Sequence, residues 1–264
     1  MTEIDLYDIF QGQLAAFLLV LTRTSGIFLI SPFFGALTIP IQFRAAASIA
    51  IAILIFPVIT KSSVIIVPEN MFLFALTVMK EFVIGWMIGF IAYVTMSAIN
   101  MAGKIMDLQI GFAVAQTMDP TSGQQMPLIG NYLYNLSVIY LLAVNGHHII
   151  LTALVESFRV LPFDSVVWNP SLADFMIDST AGVFLTGMKI AMPVTFTILI
   201  TNVGMGILAR TMPQMNIFVI GIPMHLMTGM LMLAMVMPFY VLFLDVMFNG
   251  MYSDISTAIK LISP

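Results

Sequence analysis

Long runs without a charged residue constrain this chain more than any other feature. Residues 211–244 contain no Asp, Glu, Lys or Arg, and a single helix over that run would be roughly 51 Å long at about 1.5 Å per residue. The hydrocarbon core of a bilayer is about 30 Å thick, and about 20 apolar residues cross it as a helix. Of the 264 residues, 60% are hydrophobic and 8% charged, against about a quarter charged in soluble domains. The sequence therefore predicts a polytopic membrane protein.

The apolar runs predict an all-α fold of membrane-type helical hairpins. Six stretches are long enough to be spans, and they lie near 14–34, 42–60, 71–100, 128–155, 181–209 and 214–247. Proline removes a backbone donor and clashes with the preceding turn, so we expect the helices to bend or break at internal prolines and glycines. The expected positions are Pro32, Gly35, Pro40, Pro57, Pro193, Pro223, Gly229 and Pro238.

Four charged residues interrupt the apolar runs: Arg23, Lys80, Glu81 and Lys189. Each would cost about 2.5 to 3.5 kcal/mol at the centre of a bilayer. They either snorkel at span boundaries or face protein or water inside an assembly, and the sequence leaves both interpretations open. Lys and Arg are spread almost evenly along the chain, so the positive-inside rule gives no orientation.

Small residues predict close contacts between helices. Gly85 and Gly89 stand four residues apart in GWMIG, and Ala98 and Ala102 continue the same spacing. This pattern lets helix backbones approach where no hydrophobic effect drives association, although it is also common by chance in apolar sequence.

Enzymatic chemistry has no support in the sequence, so we expect neither catalytic residues nor a cofactor. There is no phosphate-binding loop, nucleophile elbow or zinc-protease motif. Cysteine is absent, and His147 and His148 are adjacent and therefore point apart on a helix, so no metal site is expected. The net charge of −4 lacks the basic patch that a nucleic-acid partner needs. The acidic start MTEIDLYDIF differs from a secretory signal, so the first apolar stretch is expected to be mature protein.

The stretch KIMDLQIGFAVAQTMDPTSGQQMP, residues 104–127, is unusually polar and small for this chain. From Met106 to Val114 the side chains alternate as in an extended strand, but a helix that puts Gln109, Ala113 and Gln116 on one stripe is equally compatible. Asp119-Pro120 favours an extended residue before the proline, and Gly123 permits a tight turn. We interpret the stretch as a loop that projects into an aqueous path, with an ordinary extramembrane hairpin as the alternative.

Two motifs carry a family resemblance. DLQIGFAVAQTMDPTSG (107–123) and RTMPQMNIFVIGIPMHLMTGM (210–230) resemble the R component of the flagellar type III export gate, the FliR family, whose virulence counterpart is the injectisome T protein. The match extends over the whole chain in length and span order. In the second motif it rests on Pro213, Gln214, Asn216, Gly221 and Pro223.

The resemblance implies a place in a spiral gate of the bacterial inner membrane and flagellar basal body. Its partners would be the P and Q components (FliP and FliQ families), FlhB- and FlhA-type proteins, unfolded flagellar substrates and membrane lipid. It divides the chain into a P-like part over 1–180 and a Q-like hairpin and tail over 181–264, turning around Arg210 to Asn216. Helices of such a gate are held largely within the assembly, above the plane of the membrane.

The resemblance also implies that one loop plugs the gate. The corresponding plug residues are Leu108, Gln109, Ile110, Gly111, Phe112, Ala113, Val114, Ala115 and Met118, and the hinge is Asp119, Pro120 and Gly123. Residues of the hairpin turn used in assembly would be Arg210, Pro213, Gln214, Asn216, Gly221 and Pro223. The alternatives are a secondary transporter, which broken helices and intramembrane charges also fit, and a purely structural membrane scaffold.

Overall fold

The described part of the chain folds into seven α-helices in a computed structural model. It comprises residues 6–35, 39–62, 70–112, 127–163, 165–166, 169–214 and 216–263. The helices are α1 (Leu6–Ile30), α2 (Ile41–Ser62), α3 (Met71–Ile110), α4 (Leu128–Ala143), α5 (Gly146–Val160), α6 (Pro170–Thr211) and α7 (Ile217–Leu261). No strand occurs in these residues, so the predicted all-α fold is confirmed.

Five of these helices are long and apolar enough to cross a membrane: α1, α2, α3, α6 and α7. The pair α4 and α5 would make a sixth span if counted together. The sequence predicted one uninterrupted run over 128–155, but the helix ends at Ala143 and the next begins at Gly146. Asn145 between them is left-handed, with a φ of 57°, a conformation that asparagine tolerates and that stops a helix.

The prolines behave in two ways. Helix α1 ends at Ile30 and α2 begins at Ile41, so the break expected around Pro32, Gly35 and Pro40 is confirmed. Pro57, Pro193, Pro223 and Pro238 lie inside continuous helices, so of the two expected outcomes, a bend or a break, the helix does not break at these four positions. Breaking an apolar helix would expose several backbone groups that have no water to bond, whereas an internal proline removes only one donor. The turn in the run 211–244 lies instead before Ile217, where α7 begins.

The helices form two compact units. The first contains Met1–Tyr93, Val144–Asp178 and Asn249–Pro264, and the second contains Val94–Ala143 and Ser179–Phe248.

In the first unit α1 and α3 touch through their backbones. A Cβ atom at Gly26 would lie 2.6 Å from the carbonyl oxygen of Phe82, and one at Gly85 would overlap the carbonyl oxygen of Arg23. A Cβ at Gly89 would lie 2.7 Å from the Ile30 side chain. Gly85 and Gly89, which the sequence singled out by their spacing, therefore lie where α3 meets α1.

Arg23 is fully buried beside this contact. Its Nε donates to Glu81 Oε2 at 2.5 Å, and both side chains have no exposed surface. Nη1 donates to Ser157 Oγ and Nη2 to the Leu161 carbonyl, each at 3.1 Å. The guanidinium carbon also lies 4.0 Å from the centre of the Phe158 ring. The sequence left open whether the charges inside the apolar runs snorkel at span boundaries or face protein or water. Arg23 and Glu81 face protein, namely other helices of the same chain.

In the second unit the C-terminal part of α3 contacts α4, α6 and α7. A Cβ at Gly103 would overlap the Gly130 backbone of α4, and one at Gly187 of α6 would lie 3.0 Å from the Ala98 carbonyl oxygen. The hydroxyl groups of Ser137 on α4 and Tyr240 on α7 lie 2.6 Å apart and are buried. Helix α3 is therefore the packing centre of this unit.

We expect Glu81→Gln to destabilise the protein by about 3 kcal/mol or more, because it leaves the buried Arg23 guanidinium without a counter-charge. Thermal unfolding of the purified protein in detergent measures the effect. The matched control is Glu156→Gln, whose carboxylate forms an exposed pair with Arg159 at 3.6 Å and should change stability little. Equal shifts in the two variants would contradict the central role of the buried pair.

Candidate functional site

The end of α3 carries the first part of the predicted plug. Helix α3 continues through Ile110, and the Gly111 amide donates to the Asp107 carbonyl at 3.1 Å. Met106 and Ile110 are buried, whereas Leu108 is 68% exposed. The strand interpretation is therefore wrong for residues 106–110, and the helical alternative is correct there. Met106 and Ile110 stand four residues apart on the buried face of α3, and the apolar Leu108 lies on the exposed face between them, so the sequence resembled strand alternation.

Gly111 ends the helix with a φ of 97°. A positive φ suits glycine because a Cβ would be strained in this conformation. A Cβ there would meet no atom within 4 Å, so glycine is required by the backbone and not by crowding. Phe112 follows and is partly buried. The other predicted plug and hinge residues lie outside the described residues: Ala113, Val114, Ala115, Met118, Asp119, Pro120 and Gly123.

The chain is described again from Pro127, and the first turn of α4 is held against α3 by Asp107. The two carboxylate oxygens of Asp107 accept hydrogen bonds from the backbone N–H groups of Ile129 at 3.1 Å and Gly130 at 3.4 Å. The first N–H groups of a helix have no partner within it, and a negative charge is favoured at that end. Asp107 therefore caps α4 from a different helix.

Two further close contacts fix the same region. The backbones of Gly103 and Gly130 touch, because a Cβ on Gly103 would overlap the Gly130 Cα atom. On the other side, the Ile110 side chain fills the space beside Gly229 of α7, where a Cβ would lie 2.5 Å from Ile110 Cγ1. The residues on either side of segment 113–126 are thus anchored beside one another. We call these contacts of Gly103, Asp107, Ile110, Ile129, Gly130 and Gly229 the anchor.

The predicted hairpin turn joins α6 to α7. Arg210 is exposed in the last turn of α6, Pro213 and Gln214 are exposed in the connection, and the Asn216 carbonyl accepts the Val219 amide at 3.1 Å. Further along, Gly221 faces Met205 of α6, and Pro223 is exposed within α7.

One polar contact also joins these two helices. His225 Nε2 and Asn202 Oδ1 lie 2.7 Å apart. Polar side chains that bond across apolar helices help to fix their register.

Sequence reasoning missed the partners of the key groups. Asp107 was assigned only to the polar side of an alternating pattern, and neither Gly103 nor Gly130 was singled out. The anchor joins Asp107 to Ile129, which stand 22 positions apart in the sequence, and Ile110 to Gly229, which stand still further apart, so no local spacing encodes it. The pairing of Arg23 with Glu81 could have been predicted from one feature of the sequence: two residues of opposite charge stand inside predicted spans.

Within the described ranges, no group of three or more His, Asp or Glu side chains is close enough to hold a metal ion.

Comparison with known proteins identifies a family. Residues 14–251 match the model of the bacterial export proteins, family 1. The flagellar biosynthetic protein FliR of Bacillus subtilis (strain 168) is 33% identical over 225 residues, which cover 84% of this chain and 86% of that protein. The FliR protein of Escherichia coli (strain K12) is 27% identical, over 91% of this chain and 91% of its own length. The FliR protein of Aquifex aeolicus (strain VF5) is 30% identical, over 78% of this chain and 79% of its own length.

We expect Gly103→Ala to destabilise the second unit, because the new methyl group would have to displace the Gly130 backbone. Overpacking of this kind typically costs about 1 to 3 kcal/mol. The control is Gly182→Ala in α6, where a Cβ meets nothing within 4 Å and alanine favours the helix. Unfolding midpoints in detergent compare the two, and a Gly103→Ala variant as stable as Gly182→Ala would argue against the close contact.

Proposed function

The chain belongs to family 1 of the bacterial export proteins, and on that premise we propose that it is a component of the flagellar protein-export apparatus. The similarity to FliR proteins supports this assignment, because it extends over most of both chains. Five or more helices of spanning length support an integral membrane protein. The more specific proposal is that it works in the bacterial inner membrane, within the flagellar basal body.

Within that apparatus, the chain helps to form and plug the channel through which unfolded flagellar subunits cross the membrane. Its role is structural and not enzymatic. The proposed partners are the P and Q components of the gate, together with FlhB- and FlhA-type proteins. The P-like part, 1–180, and the Q-like hairpin, 181–264, are proposed to complete the ring of P and Q subunits.

One observation carries the plug proposal: the anchor holds the ends of segment 113–126 together. A plug must seal against ions and still yield to a polypeptide, so it should be tied to the wall at its base while its tip is free of helical hydrogen bonds. The Asp107 cap and the Gly103–Gly130 contact provide the base. The small residues Gly111, Ala113 and Ala115 leave room for close packing in a constriction.

The anchor also distinguishes the base of the proposed plug from its sealing residues. Leu108, Gln109 and Ile110 belong to α3, and Ile110 is wedged beside Gly229. We therefore propose that Ile110 supports the loop and that the main sealing residues follow Gly111. Leu108 and Gln109, which are exposed at the end of α3, stay proposed plug residues. Met118 and Phe112 remain the proposed apolar seal.

We expect deletion of residues 113–118 to make cells that express the gate leaky to small ions, because it removes Met118 and the small residues Ala113 and Ala115 from the proposed plug and keeps the anchor. Ion flux and growth under salt stress measure the leak, and co-purification of the P and Q components measures assembly. The matched control is deletion of residues 63–68, which removes an equal length from the connection between α2 and α3. Unchanged permeability in an assembled gate that lacks 113–118 would refute the plug.

A further inference from the structure

A groove between the end of α1 and the start of α2 contains the guanidinium of Arg44, which forms no ion pair with a carboxylate among the described residues. Its walls include the apolar side chains of Phe28, Leu29 and Ile41, and Arg44 lies at its edge. The groove has a volume of about 170 Å³. This is more than ten times the roughly 10 to 15 Å³ that a single water needs, so the groove can accept part of a larger molecule.

Arg44 is poorly satisfied in the described part of the chain. Nη1 donates to the Gly35 carbonyl at 3.4 Å, which is long for a hydrogen bond. Nε is buried and has no acceptor among the described residues. A buried donor without an acceptor is costly and unusual, so the geometry calls for an acceptor from outside these residues.

The neighbouring polar groups do not supply that acceptor. Ser25 and Ser48 also line the groove, and their hydroxyl protons are donated to the Thr22 and Ala45 carbonyls at 2.8 Å. The first turn of α2 contains no acidic residue, and none of the groove residues is acidic. Within the described residues, the positive charge of the guanidinium therefore remains available to an anion.

The groove lies at matching ends of two candidate spans. The candidate span in α1 is Gly12–Ile30 and the candidate span in α2 is Ile41–Thr60, so Phe28, Leu29, Ile41 and Arg44 stand within about one turn of the ends of these spans. Leu29 and Ile41 are 54% and 70% exposed. The Arg44 guanidinium therefore lies beside exposed apolar side chains at the end of the candidate spans. This arrangement suits a phospholipid, whose phosphate is attached next to its acyl chains.

We propose that this groove binds an anionic phospholipid. Its phosphate accepts hydrogen bonds from the Arg44 guanidinium, whose planar fork suits phosphate oxygens. The first part of an acyl chain lies against Phe28, Leu29 and Ile41. The site does not depend on the export function proposed above, since it uses only helices α1 and α2.

Native mass spectrometry of the full-length protein in detergent tests the site. Phosphatidylglycerol, phosphatidylcholine, diacylglycerol and inorganic phosphate are titrated separately. We expect phosphatidylglycerol to bind best, and Arg44→Gln to weaken it at least about tenfold, the loss expected for a charge-assisted hydrogen bond. Ala45→Phe, which fills the groove and keeps the cation, should weaken it as well. Arg159→Gln is the control, because it removes an exposed arginine that is paired with Glu156.

Four outcomes would overturn the proposal. The first is equal phosphatidylglycerol binding by wild type and Arg44→Gln. The second is equal binding of diacylglycerol, which would show an apolar groove without phosphate recognition. The third is saturation by inorganic phosphate at the same concentration as the lipid. The fourth is capture of a partner protein's carboxylate by Arg44, detected by cross-linking in the assembled complex, with no lipid retained.

Discussion

The buried pair of Arg23 and Glu81 is the interaction on which the first unit depends. A guanidinium without exposed surface is tolerable only if its charge and its donors are matched. Glu81, Ser157, the Leu161 carbonyl and the Phe158 ring supply that match from α3 and from α5 and its C-terminal end. The pair also requires the glycine contact: the Gly85 backbone lies against Arg23, and a larger side chain there would move α1 away and separate the charges. The close contact at Gly85 and the Arg23–Glu81 ion pair therefore depend on each other.

The second unit solves the same problem with hydrogen bonds to the backbone. Asp107 is buried, and its carboxylate is matched by two N–H groups at the start of α4 and not by a cation. Here too a glycine contact, Gly103 with Gly130, brings the partners within reach. In both units α3 provides an acidic side chain and a glycine four residues apart, at Glu81 and Gly85 and at Gly103 and Asp107. Residues four apart lie on the same helical face, so polar pairing and close approach occur on one side of α3.

Composition and the spacing of apolar residues were sufficient to predict the helical spans. They were insufficient to predict features that depend on which residues contact one another in the folded chain. Run length predicted the helical spans, since crossing an apolar layer requires uninterrupted helix. Sequence alone could not decide between a bend and a break at the four prolines inside helices, where a break would leave more backbone groups unpaired in an apolar layer than one missing proline donor does. The strand alternative at Met106 failed because tertiary contacts, with Ile110 packed beside Gly229, decide between two periods that fit a short segment equally. The Asp107 cap could not be predicted, because its acceptor and donors lie on either side of an intervening segment.

The anchor determines what a moving plug would have to break. Opening that disturbed Ile110 or Asp107 would expose a buried side chain and two helix-end N–H groups, and would loosen α4 from α3. Opening that began after Gly111 would disturb none of these contacts. The positive φ of Gly111 puts a permissive backbone position at the boundary between the two parts. If the proposed plug opens, an opening that begins after Gly111 would therefore cost less free energy than one that breaks the anchor, and Gly111 would then act as a pivot beside the hinge proposed at Asp119, Pro120 and Gly123.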